Sequence, residues 1–108
     1  MSVPTYAIAH LRTVDLGDGI VEYLERIDGT LAPFGGRFIV HGATPDVREG
    51  AWTGDLIVIE FPSAAKAVGW YDSPEYREII PPRTDNSDGS VFLVEGVEQP
   101  HRATDILA

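Results

Sequence analysis

Four short apolar runs punctuate the chain, at TYAIAHLR (5–12), GRFIVHG (36–42), LIVIEF (56–61) and SVFLVEG (90–96). Their β-branched and aromatic content, bounded by Gly, Pro, Asp and Ser, predicts four strands. Between the first two, Ile20, Leu24, Ile27 and Leu31 fall at i, i+4, i+7 and i+11, the stripe of a helix over 18–32. Asp18 is the expected N-cap, and Pro33 with Gly35-Gly36 the stop. The second helical region, EFPSAAKAVGWYDSPEYREI (60–79), contains two helix starts. Pro62 ends the third strand and Ser63 caps a helix to about Tyr71, with an inner stripe of Ala64, Ala67, Val68 and Tyr71 and Trp70 on its flank. Asp72-Ser73-Pro74 breaks that helix, because a residue before proline avoids the α region. Ser73 then caps a restart with Pro74 at its first position, and Pro81-Pro82 is expected to close it.

The order β-α-β-β-α-β predicts an α+β, ferredoxin-like protomer with a four-stranded antiparallel sheet. One domain over 1–97 and a mostly polar tail over 98–108 complete the expected organisation.

Strand alternation divides the side chains into two sets. Ala7, Ala9, Leu11, Phe38, Val40, Ile57, Ile59, Phe61, Phe92 and Val94 are wholly apolar and suit the face beneath the helices. Tyr6, Ile8, His10, Arg37, Ile39, His41, Leu56, Val58, Glu60, Val91, Leu93 and Glu95 form the second set. It holds every titratable strand side chain, yet most of its members are large and apolar. Such a patch exceeds what a soluble monomer normally exposes. A second copy, sheet against sheet, is the economical cover, giving a two-fold dimeric α/β barrel whose polar groups line a cavity or its mouth.

YAIAHL, FGGRFIVHG, REGAW, LIVIEFPS, the WYDSPEY run, Arg83 and the final VEG together resemble the domain-of-unknown-function family numbered 1330, over about residues 5–96. The resemblance implies a ferredoxin-like protomer and a barrel-forming homodimer within the dimeric α/β-barrel superfamily. It carries no settled activity, and fold alone selects none. The chain departs from the family pattern at HGA (41–43), where an Arg-Gly-Gly-like run is usual.

Charge narrows the partners. The 108 residues carry a formal net charge of -9 and a pI of about 4.5, which repels phosphate backbones and anionic membranes. No nucleic acid or membrane partner is expected. The missing N-terminal basic-apolar signal points to the cytoplasm. The chain has no cysteine, so no disulfide, thiolate nucleophile or cysteine metal site arises. His10, His41 and Glu60 show no HxxxH or HxH spacing and FGGRF is no nucleotide loop, so no metal or cofactor is expected.

The candidate catalytic residues are His10, His41 and Glu60, since a histidine beside a carboxylate moves protons near neutral pH. The plainer account leaves them at strand ends, wet or paired to Arg37. Tyr6, Arg37, Trp70, Tyr71 and Arg83 are the candidate ligand-binding residues. Trp70, Tyr71 and Tyr76 are expected to anchor the helix break, with the Asp72–Pro74 corner at the pocket entrance and Arg83 free at the same rim for a carboxylate or anionic group. Two functions follow: a cofactor-independent enzyme acting by proton transfer on a small apolar or aromatic compound, or a non-catalytic ligand-binding or stress-related dimeric module.

Overall fold

The two central strands of the sheet are β1 (Thr5–Val14) and β3 (Asp55–Phe61), flanked by β2 (Arg37–Val40) and β4 (Ser87–Glu95) in the order β2-β3-β1-β4. Every pairing is antiparallel. This comes from a computed structural model that describes residues 3–108. Helix α1 (Asp18–Leu31) continues into a 3-10 turn at Ala32–Phe34, which ends at Gly35 with φ 70°, a left-handed conformation suited to glycine. Helices α2 (Ala64–Asp72) and α3 (Pro74–Thr84) fill the second crossover. The core sits between these helices and one sheet face, built on Ala7, Ile27, Ile59, Phe61, Trp70, Tyr76 and Ile79.

Local chemistry explains the elbow between α2 and α3. Ser63 accepts a hydrogen bond from the Lys66 backbone N–H and caps α2. Buried Ser73 serves both helices: its Oγ donates to the Trp70 carbonyl at 2.8 Å and accepts from the Tyr76 N–H at 3.3 Å. Around it Trp70 packs on Phe61, Tyr71 and Tyr76, and its Nε1 donates to Thr30 Oγ1 at 3.0 Å. Trp70 is thus at the centre of the inner face, with Ala67, while Val68 of the expected stripe is exposed.

Three further expectations about the helices are corrected. Gly17, not Asp18, holds the N-cap position of α1, and Asp18 instead places its charge in the first turn, near the positive helix end. Leu24 is only partly covered, while Thr30 joins the buried stripe and Tyr23 packs against it. Helix α3 does not stop at Pro81-Pro82 but runs through both to Thr84. The carbonyls that lose their N–H partners belong to Arg77 and Glu78, both exposed residues, where the loss costs least.

The face assignment of β4 is inverted. Leu93 and Val91 lie opposite Ala7 and Ala9, beneath the helices, whereas Phe92 and Val94 lie opposite Ile8 and Tyr6 on the open face, about half exposed. In β2 the register shifts between Phe38, opposite Ile59, and Val40, opposite Val58. That irregularity carries Val40 to the open face and leaves His41 stacked on Phe38, ring centroids 4.5 Å apart.

Candidate functional site

Two alanines on the central strand shape the site. Ala7 and Ala9 face the helices from β1 and are too small to fill the space beneath α1 and α3. A cavity of about 80 Å³ remains, several times the ~10–15 Å³ that one water needs. Its floor is sheet: the two alanines with Ile57, Ile59 and Val91. Its roof is helix: Ile20, Tyr23 and Ile27 of α1, with Tyr76 and Arg83 of α3. Trp70 closes one side, and Phe38 and His41 border another.

Apart from the His41 imidazole at that border, the polar groups of the wall gather at one place. The Tyr23 and Tyr76 hydroxyls are hydrogen-bonded at 2.8 Å, their rings edge to face at 6.1 Å. Burial, then the neighbouring Tyr76, pushes the Tyr23 phenol far above its ordinary 10.0, with Arg83 opposing. The Tyr76 phenol is raised too, chiefly by burial, against the pull of Tyr23 and Arg83. Both are therefore protonated at neutral pH. One O–H is used between them, and the other remains to donate. Arg83 is 7% exposed, with its Cζ 5.7 Å from the Tyr23 ring centroid. Its Nε is buried without a hydrogen-bond partner, and among the described residues Arg83 forms no ion pair.

Continuation of α3 through the prolines places Arg83 here. Tyr76, Ile79 and Arg83 stand at i, i+3 and i+7, one helical face, and all three are buried. A helix closed at Pro81 would have left Arg83 at the rim. Tyr23 is not among the site residues expected from the sequence, although Ile20, Tyr23, Ile27 and Thr30 share the same periodicity. That spacing was the available signal.

The other candidates are dispersed. Glu60 lies opposite Tyr6 on β1 and Arg37 on β2, and accepts from Arg37 Nη2 at 2.6 Å and Nε at 2.9 Å. His10 lies opposite Leu56, four positions along β1 from Tyr6, or ~13 Å at the usual rise per residue. Its Nε2 is 2.8 Å from the Thr53 carbonyl and its ring stacks on Trp52 at 4.1 Å. His41 is exposed, beside the cavity on the opposite face. The three thus do not share a pocket. Tyr71 packs on Trp70 and Tyr76 without lining the cavity. Among the described residues no group of three or more His, Asp or Glu side chains is placed to hold a metal ion, and no helix is long and apolar enough to cross a membrane.

A family model described as "Domain of unknown function (DUF1330)" matches residues 4–97. The chain belongs to this family. No curated protein matches it. Solved structures share the DUF1330 chain's fold. The RPA0582 protein of unknown function from Rhodopseudomonas palustris is 17% identical, with a TM-score of 0.67 over 91% of this chain and 85% of that one. A dimeric ferredoxin-like protein of unknown function from Jannaschia sp. CCS1 is 16% identical, with a TM-score of 0.64 over 88% and 99%. Rv0793 from Mycobacterium tuberculosis is 18% identical, with a TM-score of 0.52 over 91% and 99%.

Proposed function

We propose that this DUF1330 chain is a small-molecule-binding protein that acts as a homodimer and holds its ligand between the helices and the sheet of each protomer. The observation that carries the reading is the largely apolar cavity of about 80 Å³ that the side chains leave between the helices and the sheet. Interiors are close-packed, and empty space forfeits dispersion contacts. A core that leaves room beneath Tyr23, Tyr76 and Arg83 is accounted for by an occupant. The homodimer draws on the open sheet face, where Tyr6, Ile8, Val58, Phe92 and Val94 gather, and on the dimeric Jannaschia neighbour.

A thermal-shift series with phenol, benzamide, benzoate, hexanoate and 1-hexanol at millimolar concentration tests the binding reading. At least one probe is expected to raise the Tm of the wild type and to lose its effect in Ala9→Leu, which fills the cavity floor. No shift with any of them would sink it.

The second reading, cofactor-independent proton transfer, is favoured by the phenol pair. A protonated Tyr hydroxyl held at 2.8 Å by its neighbour and set beside a cation is positioned to donate to a substrate oxygen. Proton transfer by His10, His41 and Glu60 would need motions that bring them to one pocket. For that reason binding ranks first.

A further inference from the structure

Arg83 is the one feature of the cavity that the packing of an apolar ligand leaves unexplained. Its side chain is more than nine-tenths buried, its Nε has no partner, and none of the chain's 17 acidic residues pairs with it among the described residues. A buried charge without a counter-ion is costly, and an apolar side chain of similar volume would pack the same place more favourably. The face of Tyr23 at 5.7 Å and the nearby phenol oxygens offset part of that cost but supply no negative charge.

The polar end of the cavity is also one-sided. Arg83 offers only donors, and the Tyr23–Tyr76 pair keeps one further O–H to give. Donors converging beside a cation fit an oxygen anion, and the planar guanidinium fork matches a carboxylate. One buried cation balances one negative charge, while the chain's net charge of -9 works against polyanions.

We infer that the ligand is a small monoanionic acid, its carboxylate held by Arg83 and the tyrosine hydroxyls and its ring or short hydrocarbon body lying over Ala7 and Ala9. The inference rests on the small-molecule reading above.

Isosteric pairs separate the two. Binding of benzoate against benzamide, and of hexanoate against 1-hexanol, is measured by calorimetry on the full chain, with wild type, Arg83→Met and Arg83→Lys. The wild type is expected to prefer the acid of at least one pair by about tenfold or more. Arg83→Met should abolish that preference while still binding the neutral partner, and Arg83→Lys should keep part of it. Equal affinity for acid and neutral probe in the wild type, unchanged in Arg83→Met, would overturn the acid assignment and leave the cavity reading standing. Binding of none of the four overturns both. Should Arg83→Met not fold, the acid-to-neutral ratio of the wild type decides alone, about tenfold for and near unity against.

Discussion

On the open face of the sheet, Glu60 meets Arg37 at 2.6 Å and His10 reaches the Thr53 carbonyl at 2.8 Å, each polar group with a partner in or near water. On the covered face the polar groups at the cavity's helix side are the two phenols, bonded to each other, and Arg83, whose Nε is bonded to nothing. Thr5 buries a further unpartnered hydroxyl opposite Phe61. The same strands build both surfaces. A backbone carbonyl and an ion pair account for these polar groups, so what stands out on the first surface is its apolar area. The second has unmet demand but little exposed area. An apolar surface with its polar groups satisfied fits a partner of its own kind, whereas an enclosed cation with spare donors fits a small molecule.

The covered face offers the largest effect. Trp70 is 1% exposed, hydrogen-bonded to Thr30 and packed on three aromatic rings. Trp70→Ala is expected to cost about 3–5 kcal/mol in chemical denaturation. A loss below ~1 kcal/mol would mean that the elbow, and the cavity wall it forms, is not a packed core.

The open face gives the next largest. Phe92→Asp sets a charge in the middle of the proposed interface. Since Phe92 is 50% exposed in the protomer, the monomer fold should survive with its circular dichroism unchanged. Light scattering should show the dimer weakened by ~100-fold or more, about 3 kcal/mol. A wild type that is already monomeric at micromolar concentration would break the comparison on this side.

The phenol pair yields the smallest change and the sharpest signature. Tyr23→Phe strips the Tyr76 hydroxyl of its partner and is expected to cost about 1–2 kcal/mol, while the double Phe variant should cost less than the sum of the single ones. The sign of the pH effect follows from the raised phenol pKa values. The folded chain holds these protons more tightly than the unfolded one, so the contribution is complete below the ordinary 10.0 and is lost as pH rises above it. Tm measured from pH 8 to 12 should fall more steeply in the wild type than in the double variant. Identical profiles would mean that the phenols are wet.

The element order, the antiparallel sheet and the N-cap of α3 at Ser73 were legible because each has a local cause: a period, a turn residue, a hydroxyl before a proline. The faces of β4 were not. Val91, Phe92, Leu93 and Val94 are all apolar, so alternation holds no phase there, and the register against β1 is set by tertiary pairing. The shift in β2 moved Val40 and His41 for a similar reason, since RFIV does not announce an extra residue. The placement of Arg83 was hidden by one proline pair. The sequence marks Arg83 only as a free cation at the rim, and its burial depends on a helix that continues where prolines usually end one.

That continuation has an entropic side. Pro81 and Pro82 lock their own φ angles in the unfolded chain as well as the folded one, so the segment leading into Arg83 has less backbone freedom to lose on folding. The final turn of α3 is held by ring stiffness where a helix of ordinary residues would rely on two further N–H bonds. The guanidinium is therefore carried on a support whose ordering cost falls mainly on the covalent structure, and the proposed acid would meet a cation it does not have to immobilise from the backbone up.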